Sequence, residues 1–212
     1  MQDKHQITEK QLAFLDRYLK KYSFGSEDDK VELKDHLILD FEANGNGNLS
    51  QYLSDKIGFI KKFIASKLSA IHKSYRRKTI DEAIGFFTSI QRLSLTIIVF
   101  LCMYTMTHFL NETLLIVLFI SSVLGLFVYS QFFLKIKKED KKKLDRIDYL
   151  GQEMWLPYLM LMLPLPYYDE LIVYKTFFSL YWFVAIGYSI AAILVMKKEK
   201  KLIYEKYKHL LD

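Results

Sequence analysis

The chain holds one cysteine and three prolines in 212 residues. A single thiol, Cys102, excludes an intrachain disulfide and a thiolate metal cluster. It reads as a small apolar packing residue. The prolines (Pro157, Pro164, Pro166) all lie in one stretch, "WLPYLMLMLPLPYY" at 155–168, so none interrupts a helix elsewhere. Lys, Arg, Asp and Glu are missing from 93–110, 114–134 and 176–196. Uncharged runs of about 18 or more residues are long enough to cross a bilayer, and the cores of these three hold none of the ionisable groups that coupled transporters and proton pumps use. The first 25 residues lack the apolar core of a signal peptide. No phosphate loop, HExxH, GxSxG or kinase-like set occurs. The expectation is a non-enzymatic membrane protein with no cofactor, metal or catalytic residue.

What is present is 51% hydrophobic, and its net charge of +6 is unevenly spread. Residues 1–91 carry 15 basic and 13 acidic side chains, while 135–153 carry seven and five, and 197–212 six and three. The connectors at 108–113 and 167–175 hold no basic residue beyond Lys175. Lys and Arg beside spans stay cytoplasmic, so Lys73–Lys78, Lys135–Arg146 and Lys197–Lys208 belong inside and the poor connectors outside. That sorting demands paired crossings, and the proline stretch must then supply one. The charge pattern predicts four transmembrane helices at about 89–110, 113–134, 147–168 and 175–196. A basic cytoplasmic loop at 135–146 and a basic helical tail at 197–212 complete the layout, with both termini inside. A helix over 147–168 rises about 33 Å, with a kink near Pro157, an irregular outer end at "PLPYY", and Tyr167, Tyr168 and Tyr174 in the outer aromatic belt. A re-entrant segment is the other reading of 155–168. The inner-leaflet contacts are Lys73, Arg76, Arg77, Lys78, Lys137, Lys138, Lys197 and Lys198, which suit anionic headgroups. The nearly balanced module gives no support to nucleic-acid binding.

Residues 1–80 predict a three-helix cytoplasmic module, so the fold class is all-α. "TEKQ" places Thr8 and Gln11 as a capping box, and Leu12, Phe14, Leu15, Tyr18, Leu19 and Tyr22 fall within an arc of roughly 160° on the helix that follows. Ser26 caps a second helix, with Glu27, Asp28 and Asp29 in its first turn and Val31, Leu33, Leu37, Ile38 and Phe41 on one face. "NGNGN" at 44–48 ends it. Ser50 caps a third, whose Leu53, Ile57, Ile60, Ile64, Leu68, Ile71 and Tyr75 recur at spacings of three and four. "TIDE" at 79–82 is a second capping box, predicting a helix from Thr79 to about Leu110 and a stiff joint to the membrane.

Glu32, His36 and Asp40, spaced by four, line the face opposite Leu33, Leu37 and Phe41. Such a trio can be a solvated face with local ion pairs, a pH-sensitive partner contact, or a metal site. His108, with Asn111 and Glu112, marks the outer turn. Ser121, Ser122, Gly125, Ser179, Gly187 and Ser189 allow close helix approach. In the tail, Ile203, Tyr207, Leu210 and Leu211 share one side, suited to the inner leaflet or to the module.

"TEKQLAFLDRYL", then "ELKDHLILDFE", a short polar loop, a third helix and membrane spans resembles a group of uncharacterised bacterial multi-span membrane proteins. Their layout is similar to the HAAS type, which carries a small cytoplasmic helical module ahead of its spans. The likeness covers roughly residues 8–80 and the general layout. It implies a sensing or partner-docking module, of a type sometimes associated with PadR-like transcription regulators, and brings no catalytic residue. The expected function is therefore a bacterial inner-membrane protein whose module docks a cytoplasmic partner through Glu32, His36 and Asp40, compatible with a homo-oligomer. The alternative is a small transporter or an integral subunit of a transport complex, favoured if His108 or Tyr129 faces a cavity.

Overall fold

A computed structural model of the chain describes residues 6–22, 24, 26–45, 47–133 and 150–206. Among them every regular element is helical. They are α1 (Glu9–Leu19), α2 (Glu27–Asn44), α3 (Leu49–Asp55), α4 (Ile57–Thr88), α5 (Ile90–Phe109) and α6 (Glu112–Phe133). After these come a 3-10 turn (Gly151–Met154), α7 (Trp155–Met162), a second 3-10 turn (Leu165–Tyr167), α8 (Tyr168–Val173) and α9 (Lys175–Lys206). They form two compact units divided between Lys73 and Ser74. Lys137, Lys138 and the loop 135–146 lie outside the described residues, as do Tyr207, Leu210 and Leu211.

In the first unit, Thr8 and Gln11 form the capping box on α1, each side chain meeting the other's backbone N–H. The Ser26 side chain accepts from the Asp29 N–H and starts α2. Leu15 and Leu19 of α1, Leu33, Leu37 and Phe41 of α2, Leu49, Tyr52 and Leu53 of α3, and Ile60 of α4 form one buried cluster. Phe14 and Val31 were expected in these stripes but stand 38% and 53% exposed, because helices this short bury only the middle of each arc. Asn48, not Ser50, caps α3 by accepting from the Gln51 N–H. The expected third helix is two: Lys56 leaves helical geometry at φ −90°, ψ 3°, and α4 starts at Ile57. Gly45, at the end of α2, sits so close to Phe41 that a Cβ would meet its carbonyl oxygen at 2.5 Å.

In the second unit, α5, α6 from Glu112 to Phe132, and α9 are long and apolar enough to cross a membrane. The helix expected from Thr79 does not start there. Thr79 is buried inside α4, its hydroxyl donating to the Tyr75 carbonyl at 3.0 Å. A threonine bonded back to its own helix cannot take the extended geometry of a cap. The break comes at Ser89, in extended geometry (φ −87°, ψ 119°). Across it Arg92 Nη1 meets Glu82 Oε1 at 2.6 Å, and the Thr96 hydroxyl donates to the Phe86 carbonyl at 3.2 Å. Residues ten apart on a straight helix are about 15 Å apart, so α4 and α5 meet at a sharp bend. The expected continuous stiff joint is replaced by a bend strapped by an ion pair.

Phe119 of α6 centres the second unit's core, edge-on to Tyr168 and Phe178, both at 5.6 Å between centroids, and to Trp182 at 6.3 Å. Trp182 Nε1 donates to Ser122 Oγ at 3.0 Å, and that hydroxyl donates to the Phe119 carbonyl at 2.9 Å. Phe119 meets Phe178, Ser122 meets Trp182, and Tyr129 lies under Lys197 Nζ. Rising numbers pair with rising numbers, so α6 and α9 run in the same direction. Between them, the described stretch from Glu153 to Tyr168 runs the other way. Tyr158 faces Phe127 while Tyr168 faces Phe119, and Glu153 bonds Tyr188 while Met160 bonds Tyr181.

That segment is not the continuous helix expected over 147–168. Its described part begins at Leu150, and α7 has only eight residues, ending at Met162 just ahead of Pro164. Pro157 is the third residue of α7, in the first turn, where a missing N–H breaks no bond. The chain therefore breaks at Pro164 and Pro166 and not near Pro157.

Candidate docking face and membrane-contact residues

Glu32, His36 and Asp40 share one side of α2, about 100° round from buried Leu33, Leu37 and Phe41 and not opposite them as expected, and their neighbours separate them. Glu32 Oε2 takes Lys67 Nζ of α4 at 2.6 Å, and Glu32 Oε1 lies 3.9 Å from His36 Nε2. Lys67 also lies 3.9 Å from Asp29 and 5.2 Å from the centre of the Phe63 ring. The Glu32 carboxylate holds the Lys67 pKa above the ordinary lysine value, chiefly through that hydrogen bond. His36 stands edge-on to Phe63 at 6.2 Å. The side chains of His36 and Glu32 are 57% and 46% exposed, so this patch of alternating charge is open to solvent.

Asp40 belongs to a different group. Its Oδ2 takes the Tyr52 hydroxyl at 2.6 Å and Lys56 Nζ at 2.7 Å, and its Oδ1 takes Asn44 Nδ2 at 2.9 Å. These donors, Lys56 first and Tyr52 second, pull its pKa down to about 2. Burial, and then the same carboxylate, raise the Tyr52 hydroxyl well above the ordinary tyrosine range. Asp40 thus ties α2 to α3. Among the described residues no three metal-capable side chains converge, Glu32, His36 and Asp40 included.

Of the described basic residues expected at the inner leaflet, Lys73, Arg76, Arg77, Lys78, Lys197 and Lys198 are all exposed. Several engage protein groups as well, Arg77 lying 4.0 Å from Asp81. Lys78 Nζ meets Glu199 Oε1 at 2.7 Å, with the Glu199 side chain only 10% exposed, and Lys197 covers Tyr129. Glu199 and Ile203 are buried on the face of α9 that also buries Met196, so α9 runs through the expected start of the tail without a break.

His108 Nδ1 lies 2.9 Å from the Tyr104 carbonyl, and its ring rests on that of Tyr104 at 4.3 Å. His108 and Tyr129 both face outward. Sequence reading missed the buried Glu153, 5% exposed, whose Oε2 accepts from the Tyr188 hydroxyl at 3.2 Å. Position along the chain alone does not show which neighbours cover a residue. No family model matches the chain, nor does any curated protein or solved structure.

Proposed function

We propose that the chain is a non-enzymatic bacterial inner-membrane protein whose N-terminal helical unit docks a cytoplasmic protein partner, in a sensing, regulatory or tethering role. The observation that carries this reading is the open patch of Glu32, His36 and Lys67. It presents both signs of charge and a histidine on two packed helices, a surface suited to a charged partner. The HAAS-like layout of residues 8–80 points the same way. Helix α4 would relay the state of the membrane to that surface, since it contributes to both units.

The topology we propose has four passages with both termini inside. Lysine-rich flanks favour the cytoplasmic side. The shared direction of α6 and α9 supports a return passage between them, because two spans that start on one face need the chain carried back. The broken stretch of α7 and α8 runs in the required sense. Loss of the helix bonds at Pro164 is tolerable in lipid where neighbours satisfy the freed carbonyls.

Recovery of partners in gentle detergent, read by mass spectrometry, tests the docking face. Glu32→Ala with His36→Ala should abolish recovery of any specific partner while α2 stays folded. Unchanged recovery would remove that patch from the account. Asp40 is left intact in this test because it holds Tyr52 and Lys56.

Transport remains the second reading, and one observation favours it. Glu153 is an acid buried within the helix assembly, and an ionisable group inside a membrane domain commonly marks a substrate or proton path. Uptake into vesicles that fails with Glu153→Gln would favour it over docking.

A further inference from the structure

From Tyr75 to Thr88, helix α4 has two unlike faces. Tyr75 and Thr79 are buried, at 1% and 0% exposure. Next round the helix Arg76, Arg77, Ile80, Ile84 and Phe87 fall within an arc of about 100°, and the Phe87 ring, on the edge of that arc nearer Thr79, also stands edge-on to Phe183 at 6.1 Å. The apolar three are 43%, 53% and 54% exposed, and the Arg77 side chain is 87% exposed, loosely paired with Asp81 at 4.0 Å.

We propose that this face is inserted in the inner leaflet, with Arg76 and Arg77 on the phosphates of anionic phospholipids and Ile80, Ile84 and Phe87 among their acyl chains. Three observations carry it. The order along the helix, basic and then apolar, is the order of a leaflet from headgroup to core. The bend at Ser89 lets this stretch, about 16 Å long from Arg76 to Phe87, lie tilted within the inner leaflet, so that α5, about 30 Å long from Ile90, still crosses the core. The face is also continuous with a span, since α5 begins at Ile90 directly after the bend at Ser89. The lipid contact of the chain therefore begins by Arg76, about four turns before the first span. The Glu82–Arg92 pair holds the bend at which this segment meets α5. The proposal rests on the reading that α5, α6 and α9 cross a bilayer.

The test uses the full chain with Cys102→Ser, reconstituted in vesicles of phosphatidylcholine with or without phosphatidylglycerol. A nitroxide is placed in turn on Ile80→Cys, Ile84→Cys and Phe87→Cys, with Phe59→Cys in the first unit and Ile97→Cys on α5 as references. Collisions with oxygen, which concentrates in lipid, are compared with those of a water-soluble nickel chelate. A several-fold rise in the oxygen-to-nickel ratio from position 80 to position 87, approaching that of position 97, is expected. Aqueous values at 84 and 87, or shielding from both reagents as a protein partner would give, overturn the proposal. An aqueous value at 97 would instead overturn the membrane-spanning reading itself. Phosphatidylglycerol should deepen position 84, and Arg76→Gln with Arg77→Gln should abolish that deepening. Equal depth in both vesicle types would remove the phosphate contact.

Discussion

The hydroxyl of Tyr181 donates to the carbonyl of Met160. That carbonyl lies four residues before Pro164, which has no N–H to give it. The next carbonyl, of Leu161, receives the Tyr168 hydroxyl at 3.5 Å, and that of Leu159 receives the Leu163 N–H at 2.9 Å. The proline break is thus closed from outside by two tyrosines, one from α8 and one from α9. An unpaired carbonyl in an apolar interior costs about 1–3 kcal/mol, which is what these hydroxyls offset.

Tyr181→Phe should therefore destabilise the second unit by about 1–3 kcal/mol. Adding Pro164→Ala, which restores an N–H four residues after Met160, should recover part of the loss. Thermal unfolding in a single detergent, for both single variants and the double, measures the coupling. Additive effects would mean that the Tyr181 bond does not substitute for the missing N–H.

The Trp182–Ser122 bond gives a second cycle. Ser122→Ala leaves an indole N–H buried without its acceptor and should cost about 1–3 kcal/mol. Trp182→Phe with Ser122→Ala should cost less than the sum of the two singles. The chain has two tryptophans, so in a Trp155→Phe background the emission of Trp182 reports its own site during unfolding.

Lys78 and Glu199 form a pair with one buried end. Lys78→Ala strands a carboxylate that is only 10% exposed. The cost should be about 1–2 kcal/mol, below the range for fully buried pairs because Lys78 itself reaches solvent. Glu199→Gln alone should cost less, since an amide is easier to bury than a charge, and should relieve most of the defect of Lys78→Ala. Unfolding midpoints of the three variants decide it.

In the first unit, acid should act through Asp40. Its folded pKa of about 2 lies below the ordinary value of 3.8. Its contribution is therefore complete above about pH 4 and is lost as pH falls through about 2. The side chain is 34% exposed, so solvent screening leaves on the order of 1 kcal/mol. Hydrogen exchange across α2 and α3 should quicken over that window in the wild type. Asp40→Asn should be less protected at neutral pH and nearly flat across the same window.

The capping residues Thr8 and Ser26 were readable because a cap is a contact between near neighbours, and the sequence states both partners. Thr79 and Glu82 carried the same local signature, yet Thr79 is mid-helix and Glu82 turns to Arg92. A cap competes with continued helix bonding, and the packing of Tyr75 and Thr79 decides for the helix. The spacing of Glu32, His36 and Asp40 fixed their shared side of α2. Lys67 lies 35 positions from Glu32 and Tyr52 lies 12 from Asp40, so spacing on α2 could not show that two residues remain open while the third joins α2 to α3.

The sequence by itself determined the helical character, the three apolar helices of membrane-crossing length and the break in the proline stretch. These follow from composition and from proline's missing donor, properties each segment carries wherever it goes. Tertiary structure decided which carbonyls Tyr168 and Tyr181 close, that α6 and α9 run alike, and where Glu153 is buried. Those depend on which side chains from distant segments arrive at the same place, and only the packed chain brings them together.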